Sequence, residues 1–425
     1  MKPARNSSAS SQPGKIFKGK KFKGKKKEIL FNDFRSEIKK NQIYLGQFPL
    51  LTFLAGLFFN LISISFAQIF YGLNVATWLF LVLRRQHRFV VPSFFWPLAV
   101  YSGLSLIASS LSVNPALSWR DSRELLLYLL IPAAMATFTS ALKVRLASSI
   151  LLASGLVNFI YSIITYIVSG QRGLRLRGFM GHYMTEAGLL MLLIIFCLAH
   201  FLFRSEKIRW LWLALGAASG CLLLFTLTRN AWLGLAASLI LLLALSKPVA
   251  LLIFPFLLAG IYLLSPVEVK KRVANTFNLY SPSNRQRIEY YRAGLKIIAD
   301  YPFFGCGPDT VDMVFQHPKY GLSEQARLNV HLHNNPLQIA AERGLPALLA
   351  WLIFMIWTFW LLSRQWRGKP SGGLPWIASG LACVLALFIA GLFEYNFGDS
   401  EVVMLYLVLI TLPFVPGLRE KKDIP

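Results

Sequence analysis

The fold class is decided by stretches such as TEAGLLMLLIIFCLAHFLF, residues 185–203, which contains a single charged side chain. An α-helix of this length covers about 28 Å, close to the roughly 30 Å thickness of the hydrocarbon core of a bilayer. Over the whole chain of 425 residues only 15% are charged and 55% are hydrophobic, whereas a soluble domain carries about 25% charged residues. The composition therefore predicts a polytopic, all-α membrane protein.

Twelve apolar runs of this kind follow one another, and we expect each to form a transmembrane helix. Nine of them lie in residues 48–265 and three in residues 344–418. The predicted helices are 48–66, 68–83, 90–110, 124–141, 146–169, 185–203, 209–227, 230–246, 248–265, 344–363, 374–393 and 400–417.

Basic residues mark every second connection between these runs, as the positive-inside rule requires of the cytoplasmic side. These connections contain Arg84, Arg85, Arg88, Lys143, Arg145, Arg204, Lys207, Arg209, Lys247, Arg364, Arg367, Lys369, Arg419, Lys421 and Lys422. The pattern predicts that both chain ends are cytoplasmic, with tails at residues 1–47 and 419–425. It places the one large polar loop, residues 266–343, outside.

The net charge of +25 would suggest a nucleic-acid partner in a soluble protein. Here much of it lies in the basic tail at residues 1–47, which has too few apolar residues to fold alone and is expected to be disordered. Contact with anionic membrane lipid explains this charge more simply than nucleic acid does.

The large loop holds most of the candidate chemistry. We expect a helix from about Gln286 to Asp300, a turn rich in proline and glycine over residues 301–308, and a second short helix opening near Asp309. The first helix would place Ile288, Tyr291, Leu295 and Ile298 on one face, against the membrane or the helical bundle.

Arginines on the external side run against the topological bias, and binding of an anion would explain them. Arg229 opens a helix at or near hydrocarbon depth, where an unpaired arginine costs a few kcal/mol. Arg285 and Arg287 lie at the start of the predicted loop helix, and Arg177 belongs to a third basic segment, which also includes Arg172 and Arg175. Guanidinium groups that converge from separate loops suit a diphosphate. The alternative is contact with lipid headgroups.

His333 is the candidate general base, because neutral imidazole accepts protons near neutral pH. Asn334 beside it and His182 in another external segment could contact or orient an acceptor. As a metal site the pair His331 and His333 lacks further ligands. The sequence also contains no P-loop and no nucleotide-sugar metal motif, so no metal or cofactor is expected.

Three acids, Glu394, Asp399 and Glu401, lie between the last two predicted helices. They could orient a histidine, bind acceptor hydroxyls or pair with the arginines, and simple solvation at the interface is the alternative. Asp399 is favoured slightly.

At these positions the sequence resembles the O-antigen ligase and polymerase family of bacterial envelope enzymes. The matching features are TRNAWLG (residues 228–234), the pattern around Arg287 and Tyr291 that ends in DYPFFGCGPDT (residues 300–310), and His333-Asn334 with Gly344 after it. Tyr291 stands where tryptophan is frequent. The order and spacing of the three motifs are more specific than any one of them.

The resemblance implies a fold like that of C-type glycosyltransferases in the bacterial inner membrane. It implies transfer of O-antigen from undecaprenyl diphosphate to a sugar hydroxyl of lipid A-core, at a periplasmic active site. Arg229 and Arg287 match arginines that hold the donor diphosphate, His333 matches the essential histidine, and Asp399 is a looser match. The predicted reaction is metal-independent and inverts the anomeric carbon.

Three other functions remain open. An O-antigen polymerase or a protein O-oligosaccharyltransferase of the same family would share the donor. A transporter of lipid-linked oligosaccharide would also need many helices and arginines, but it predicts charges buried in the middle of the membrane.

Overall fold

The computed structural model describes residues 47–168, 175–276, 278, 280–368 and 373–418. Arg172, residues 1–46 of the predicted N-terminal tail and the whole predicted C-terminal tail lie outside these ranges. Within them every regular element is a helix. The part of the chain that is described is therefore all-α, as the composition predicts.

Six of the described helices are long and apolar enough to cross a membrane, which makes the chain a multi-pass membrane protein. They are α2 (Ile64–Leu83), α6 (Ala141–Val168), α7 (Tyr183–Phe203), α9 (Arg229–Ser246), α14 (Asn335–Arg367) and α15 (Leu374–Gly391).

The other apolar runs form shorter helices. These are α1 (Gln47–Phe59), α3 (Phe95–Ser110), α5 (Leu130–Thr137), α8 (Arg209–Phe225), α10 (Phe254–Leu264) and α16 (Ser400–Thr411). Each predicted run thus corresponds to helical chain, whereas only six meet the length of a span. The count of twelve transmembrane helices stays a prediction.

The centre of the bundle is formed by α7, α15 and α16, which pack on one another, and α7 and α15 also pack on α9. In α7 and in α15, 78% of the most apolar 18-residue stretch is buried, against 28% in α2 and in α6. Helices that are apolar all round are buried among other helices, while those at the periphery turn large apolar side chains outward. The α2 and α6 helices therefore form part of the lipid-facing rim.

The polar region before α14 is a small helical layer with a hydrophobic core of its own. It contains α11 (Val267–Ala274), α12 (Pro282–Asp300) and α13 (Val311–Val314), and α12 packs on α14. A separate short helix, α4 (Pro115–Asp121), lies against this layer through Ser118, whose hydroxyl donates to the carbonyl of Pro308 at 2.7 Å.

The buried face of α12 differs from the predicted one. Tyr290, Ala293, Gly294 and Ile297 are buried, whereas Leu295 is 63% exposed. The prediction followed the aliphatic residues, but small residues on the opposite stripe allow the close approach to Leu337 and Leu332.

The α14 helix breaks at Gly344, where φ is +83°. A Cβ at this position would lie 2.0 Å from the carbonyl oxygen of Phe303, and one at Gly305 would lie 2.1 Å from the carbonyl carbon of Glu342. The backbone N–H groups of Cys306 and Gly307 donate to the carbonyls of Ala341 and Glu342, each at 2.9 Å. Gly305 and Gly344 thus allow the turn at residues 301–308 to pack directly against the backbone at the break in α14.

Candidate active site

His333 lies at the N-terminal end of α14, one residue before the cap of that helix. Its φ is +52°, in the left-handed region that residues with a Cβ rarely adopt. Asn334 is extended and caps the helix, because its Oδ1 accepts from the backbone N–H of Leu337 at 2.7 Å. Strained conformations of this kind concentrate at functional sites.

The His333 ring contacts Glu394, which lies in the connection between α15 and α16 and is 3% exposed. His333 Nδ1 lies 2.9 Å from Glu394 Oε1 and 3.0 Å from Oε2, and His331 Nε2 lies 2.8 Å from the same Oε1. Burial alone would raise the pKa of Glu394, but the hydrogen bonds from His331 and His333 outweigh it and hold that pKa well below its ordinary value. One ionised carboxylate therefore positions two imidazole rings.

A second set of hydrogen bonds fixes the backbone around this pair. The Asn334 amide donates to Tyr291 Oη at 2.9 Å and to the carbonyl of Leu392 at 2.8 Å, and Tyr291 Oη also donates to Leu392 at 2.6 Å. Both amide hydrogens of Asn334 and its oxygen are thus engaged inside the protein. The sequence left two roles open for Asn334, contact with an acceptor and orientation. This geometry favours orientation of the segment that carries His333.

Arg229 opens α9 and is 6% exposed. Its guanidinium donates to the carbonyl of Asn275 at 3.0 Å, to Ser283 Oγ at 3.2 Å and to Asn284 Oδ1 at 2.9 Å. These partners lie just after α11 and in the first turn of α12. Arg229 therefore joins the bundle to the polar layer through neutral groups alone.

Arg272 of α11 and Arg287 of α12 lie close enough to Arg229 to interact with it electrostatically. Burial, and then the charge of Arg287, lowers the pKa of Arg272 below its ordinary value. No described acid forms an ion pair with any of these three guanidinium groups, and Arg287 has no described hydrogen-bond partner. An uncompensated cluster of partly buried arginines is an anion-binding arrangement.

Arg175 braces the turn that carries Arg229. It donates to the carbonyls of Thr226 and Leu227 at 2.9 and 3.0 Å, and its guanidinium lies 3.4 Å from the centre of the Tyr183 ring. Burial lowers the pKa of Arg175 to about 10. The contacts make it a positioning residue for the turn.

The remaining predicted residues lie at different distances from this centre. The Arg285 side chain is 79% exposed and lies 3.9 Å from Glu289, and Arg177 is exposed as well. His182 precedes α7; burial lowers its pKa, the charge of Glu394 raises it, and His331, Arg175 and Arg177 lower it further. His182 therefore lies between the histidine pair and the arginines.

Asp399 precedes α16 and is half-buried, and no described residue donates a hydrogen bond to its carboxylate. Burial, followed by the charges of Glu394 and Glu401, raises the pKa of Asp399 to about 8. It lines a cavity of about 330 Å³ together with His331 and Tyr395. The carboxyl group thus faces open space beside the histidine pair.

A larger cavity of about 870 Å³ continues from the smaller one, because both are lined by Asp121, Glu124 and Asp309. Its far end is apolar and lies between α2 and the 3-10 segment Ser122–Leu129. The two cavities together join the bundle rim to the histidine pair.

Arg343 pairs with acids that line this path. The buried guanidinium lies 2.9 Å from Asp121 Oδ2, 2.7 Å from Glu342 Oε2 and 3.2 Å from Tyr395 Oη. A buried arginine that is paired in this way is held rigidly. It fixes the end of α4 against α14 and partly neutralises the acids of the cavity.

Sequence reasoning did not single out Arg272, and it did not choose Glu394 among three neighbouring acids. Arg272 stands in VEVKKRVA (residues 267–274), which looks like an ordinary solvated amphipathic helix. Its only signal in the sequence is that residues 267–274 are a further basic segment on the predicted external side, where Arg229 and Arg287 also lie.

The same centre brings together the ligand atoms of a possible metal site. One atom each from His331, His333 and Glu394 lies within 4.8 Å of the others. The H-x-H pair in the sequence supplies two ligands, and folding adds the third.

Comparison with known proteins agrees with the motifs. No curated protein matches the chain. A family model described as O-Antigen ligase matches residues 214–352, a segment that runs from α8 into α14 and contains Arg229, Arg287 and His333. The resemblance that the motifs indicated is therefore confirmed, and residues 214–352 are similar to the O-antigen ligase family.

Proposed function

We propose that the protein is an O-antigen ligase. It would transfer O-antigen from undecaprenyl diphosphate to a sugar hydroxyl of lipid A-core at the periplasmic face of the bacterial inner membrane, which completes lipopolysaccharide. The observation that carries the proposal is the juxtaposition of an arginine cluster without acidic partners among the described residues and a histidine held by a buried carboxylate. The family match to residues 214–352 supports it.

The arginine cluster would bind the donor diphosphate. Arg229 and Arg287 supply the charge, Arg272 adds a third guanidinium, and Arg285 and Arg177 could contact the donor from the exposed rim. A diphosphate becomes a good leaving group once its developing charge is neutralised, and fixed guanidinium groups provide that without a metal ion. Because Arg287 has no described protein partner, its planar fork is free for phosphate oxygens.

His333 would act as the general base. Glu394 is ionised and can only accept, so the proton of a neutral His333 ring lies on Nδ1. The Nε2 lone pair is then free to take the proton of the acceptor hydroxyl, while the oxygen attacks the anomeric carbon and the diphosphate leaves from the opposite face. This single displacement inverts the anomeric carbon. Alternatively, His333 only orients the acceptor, and the arginines supply most of the rate.

The connected cavities would hold the acceptor. The apolar end beside α2 suits an acyl chain, and the acidic end suits sugar hydroxyls, to which carboxylates are good hydrogen-bond acceptors. Asp399, which faces the small cavity, would contact the acceptor sugar. Acceptor and diphosphate would thus approach His333 from surfaces of opposite charge, and the acidic surface would repel a misplaced diphosphate.

The reconstituted reaction tests the proposal. Purified protein in vesicles, supplied with undecaprenyl-diphosphate-linked O-antigen and lipid A-core, should form full lipopolysaccharide without nucleotide and in the presence of a chelator. Longer glycan on the donor lipid with no modified core would identify a polymerase instead, and a glycosylated protein would identify a protein O-oligosaccharyltransferase. Movement of the donor across the bilayer without transfer would favour a transporter. A strict metal requirement would refute the arginine mechanism.

A further inference from the structure

The centre formed by His331, His333 and Glu394 contains one more side chain than a catalytic pair requires, and the three together resemble a three-ligand metal site. General-base catalysis needs one histidine and one orienting carboxylate, yet a second imidazole nitrogen lies 2.8 Å from the same Glu394 oxygen. The ring centroids of the two histidines are 4.4 Å apart. Two imidazole nitrogens and one carboxylate oxygen are a donor set that Zn²⁺ prefers.

The distances are within reach of zinc coordination. Zn–N and Zn–O bonds of about 2.0–2.2 Å in a tetrahedron place ligand atoms about 3.3–3.5 Å apart. The present distances of 2.8 and 2.9 Å from the nitrogens to Glu394 Oε1 must therefore open by about half an ångström. All three residues lie in connections or just before a helix, so small shifts do not disturb a packed span.

The residues and the cavity around this centre indicate an open zinc site of modest affinity. The His331 side chain is 25% exposed and lines the cavity of about 330 Å³, which leaves room for a water molecule as fourth ligand. Histidines that bind zinc normally donate their other N–H to a fixed partner, but His331 Nδ1 is buried without a described partner. Three protein ligands, one open position and an incomplete outer shell do not make a structural zinc site.

We propose that Zn²⁺ binds reversibly to His331 Nε2, His333 Nδ1 and Glu394 and thereby inhibits glycosyl transfer. Coordination at His333 Nδ1 displaces the proton there, and in the neutral ring the proton then resides on Nε2. That nitrogen loses the lone pair that would accept the hydroxyl proton, while Glu394 becomes a zinc ligand. The inhibitory part rests on the proposed function; the binding part does not.

Binding is tested first, on full-length protein in detergent micelles without a histidine tag. Co²⁺ is the spectroscopic probe, because tetrahedral coordination gives visible absorption, and Zn²⁺ is added as competitor. We expect one Co²⁺ per chain that Zn²⁺ displaces, and at least tenfold weaker binding in His331→Gln. His317→Gln is the matched control, since His317 is exposed in the same polar layer, and it should bind as the wild type does. Equal binding by His331→Gln and wild type would overturn the site.

Inhibition is tested in the transfer assay, with each variant compared with its own rate in the absence of zinc. Zinc should slow the wild type and His317→Gln at least tenfold, a chelator should restore the rate, and His331→Gln should lose most of this sensitivity. Equal sensitivity of His331→Gln would overturn the inhibitory mechanism. Specific metal binding in a protein that transfers no glycan would refute the proposed function and leave the zinc site standing.

Discussion

His333 and Glu394 are 61 positions apart in the chain and meet through hydrogen bonds of 2.9 and 3.0 Å. One side chain comes from the start of α14 and the other from the connection before α16. The proposed catalytic base and the group that holds it thus belong to different parts of the fold, and the pair forms only when the polar layer is docked on the bundle.

Replacement of either partner should remove most of the transfer activity. A positioned general base contributes about 10²- to 10⁴-fold to rate, so His333→Ala should lower kcat by that range, and Glu394→Gln should lower it by at least tenfold. The reconstituted assay measures both, with His317→Ala as a control for folding. Near-normal kcat in His333→Ala would remove the residue from the chemistry.

Lysine in place of Arg287 should not restore donor binding. The ammonium group keeps the charge but cannot form the two parallel hydrogen bonds of a guanidinium, so Arg287→Lys should lower kcat/KM for the donor at least tenfold. Arg292→Lys is the matched control, because Arg292 is exposed on the same helix. If both variants behave alike, Arg287 contacts only headgroups.

A bulky side chain in the apolar cavity should obstruct the acceptor alone. Gly72 lines that cavity, and a Cβ there meets nothing within 4 Å, so Gly72→Leu should keep the fold while it raises KM for lipid A-core at least tenfold. The KM for the donor should stay unchanged. Gly103→Leu, in equally open space on α3, is the control. Equal effects of the two variants would show that this cavity does not bind the acceptor.

Asp399 should make the stability depend on pH. Its pKa is raised to about 8 by burial and neighbouring acids, against about 3.9 in an unfolded chain. Between these values the folded state binds more protons, so this residue lowers stability progressively as pH rises from about 4 to about 8. The Tm of Asp399→Asn should therefore rise relative to the Tm of the wild type as the pH increases from 5 to 8.5. Parallel plots of Tm against pH for the two proteins would contradict the shifted pKa.

The break in α14 should tolerate no side chain. A left-handed residue with a Cβ costs about 1–3 kcal/mol, and at Gly344 the new atom would also lie 2.0 Å from a carbonyl oxygen. Gly344→Ala should therefore lower Tm and the yield of folded protein, whereas Gly220→Ala, in open space on α8, should leave both unchanged. Equal thermal stability of the two variants would show that the turn relaxes without cost.

The helical fold and two of the candidate site residues, Arg229 and His333, could be predicted from the sequence because residue type and local context are enough to mark them. Arginine is rare beside apolar helices, so Arg229 stands out, and His333 stands out because few histidines precede a helix of this kind. Glu394 could not be chosen, because its partnership with His333 depends on how the connection before α16 folds back toward α14. The buried face of α12 was predicted only in part, because Tyr291 and Ile298 pack on the core of the polar layer, whereas the fully buried stripe includes the small residues Ala293 and Gly294.

The close approach of Gly305 to the backbone of Glu342, and of Gly344 to the backbone of Phe303, sets a condition on engineering this protein. Since the turn and the broken helix are shaped against each other at the level of main-chain atoms, a loop grafted from a relative brings only half of a matched surface. A chimera intended to change glycan specificity should therefore exchange the loop, the first turns of α14 and the segment around Glu394 as one cassette.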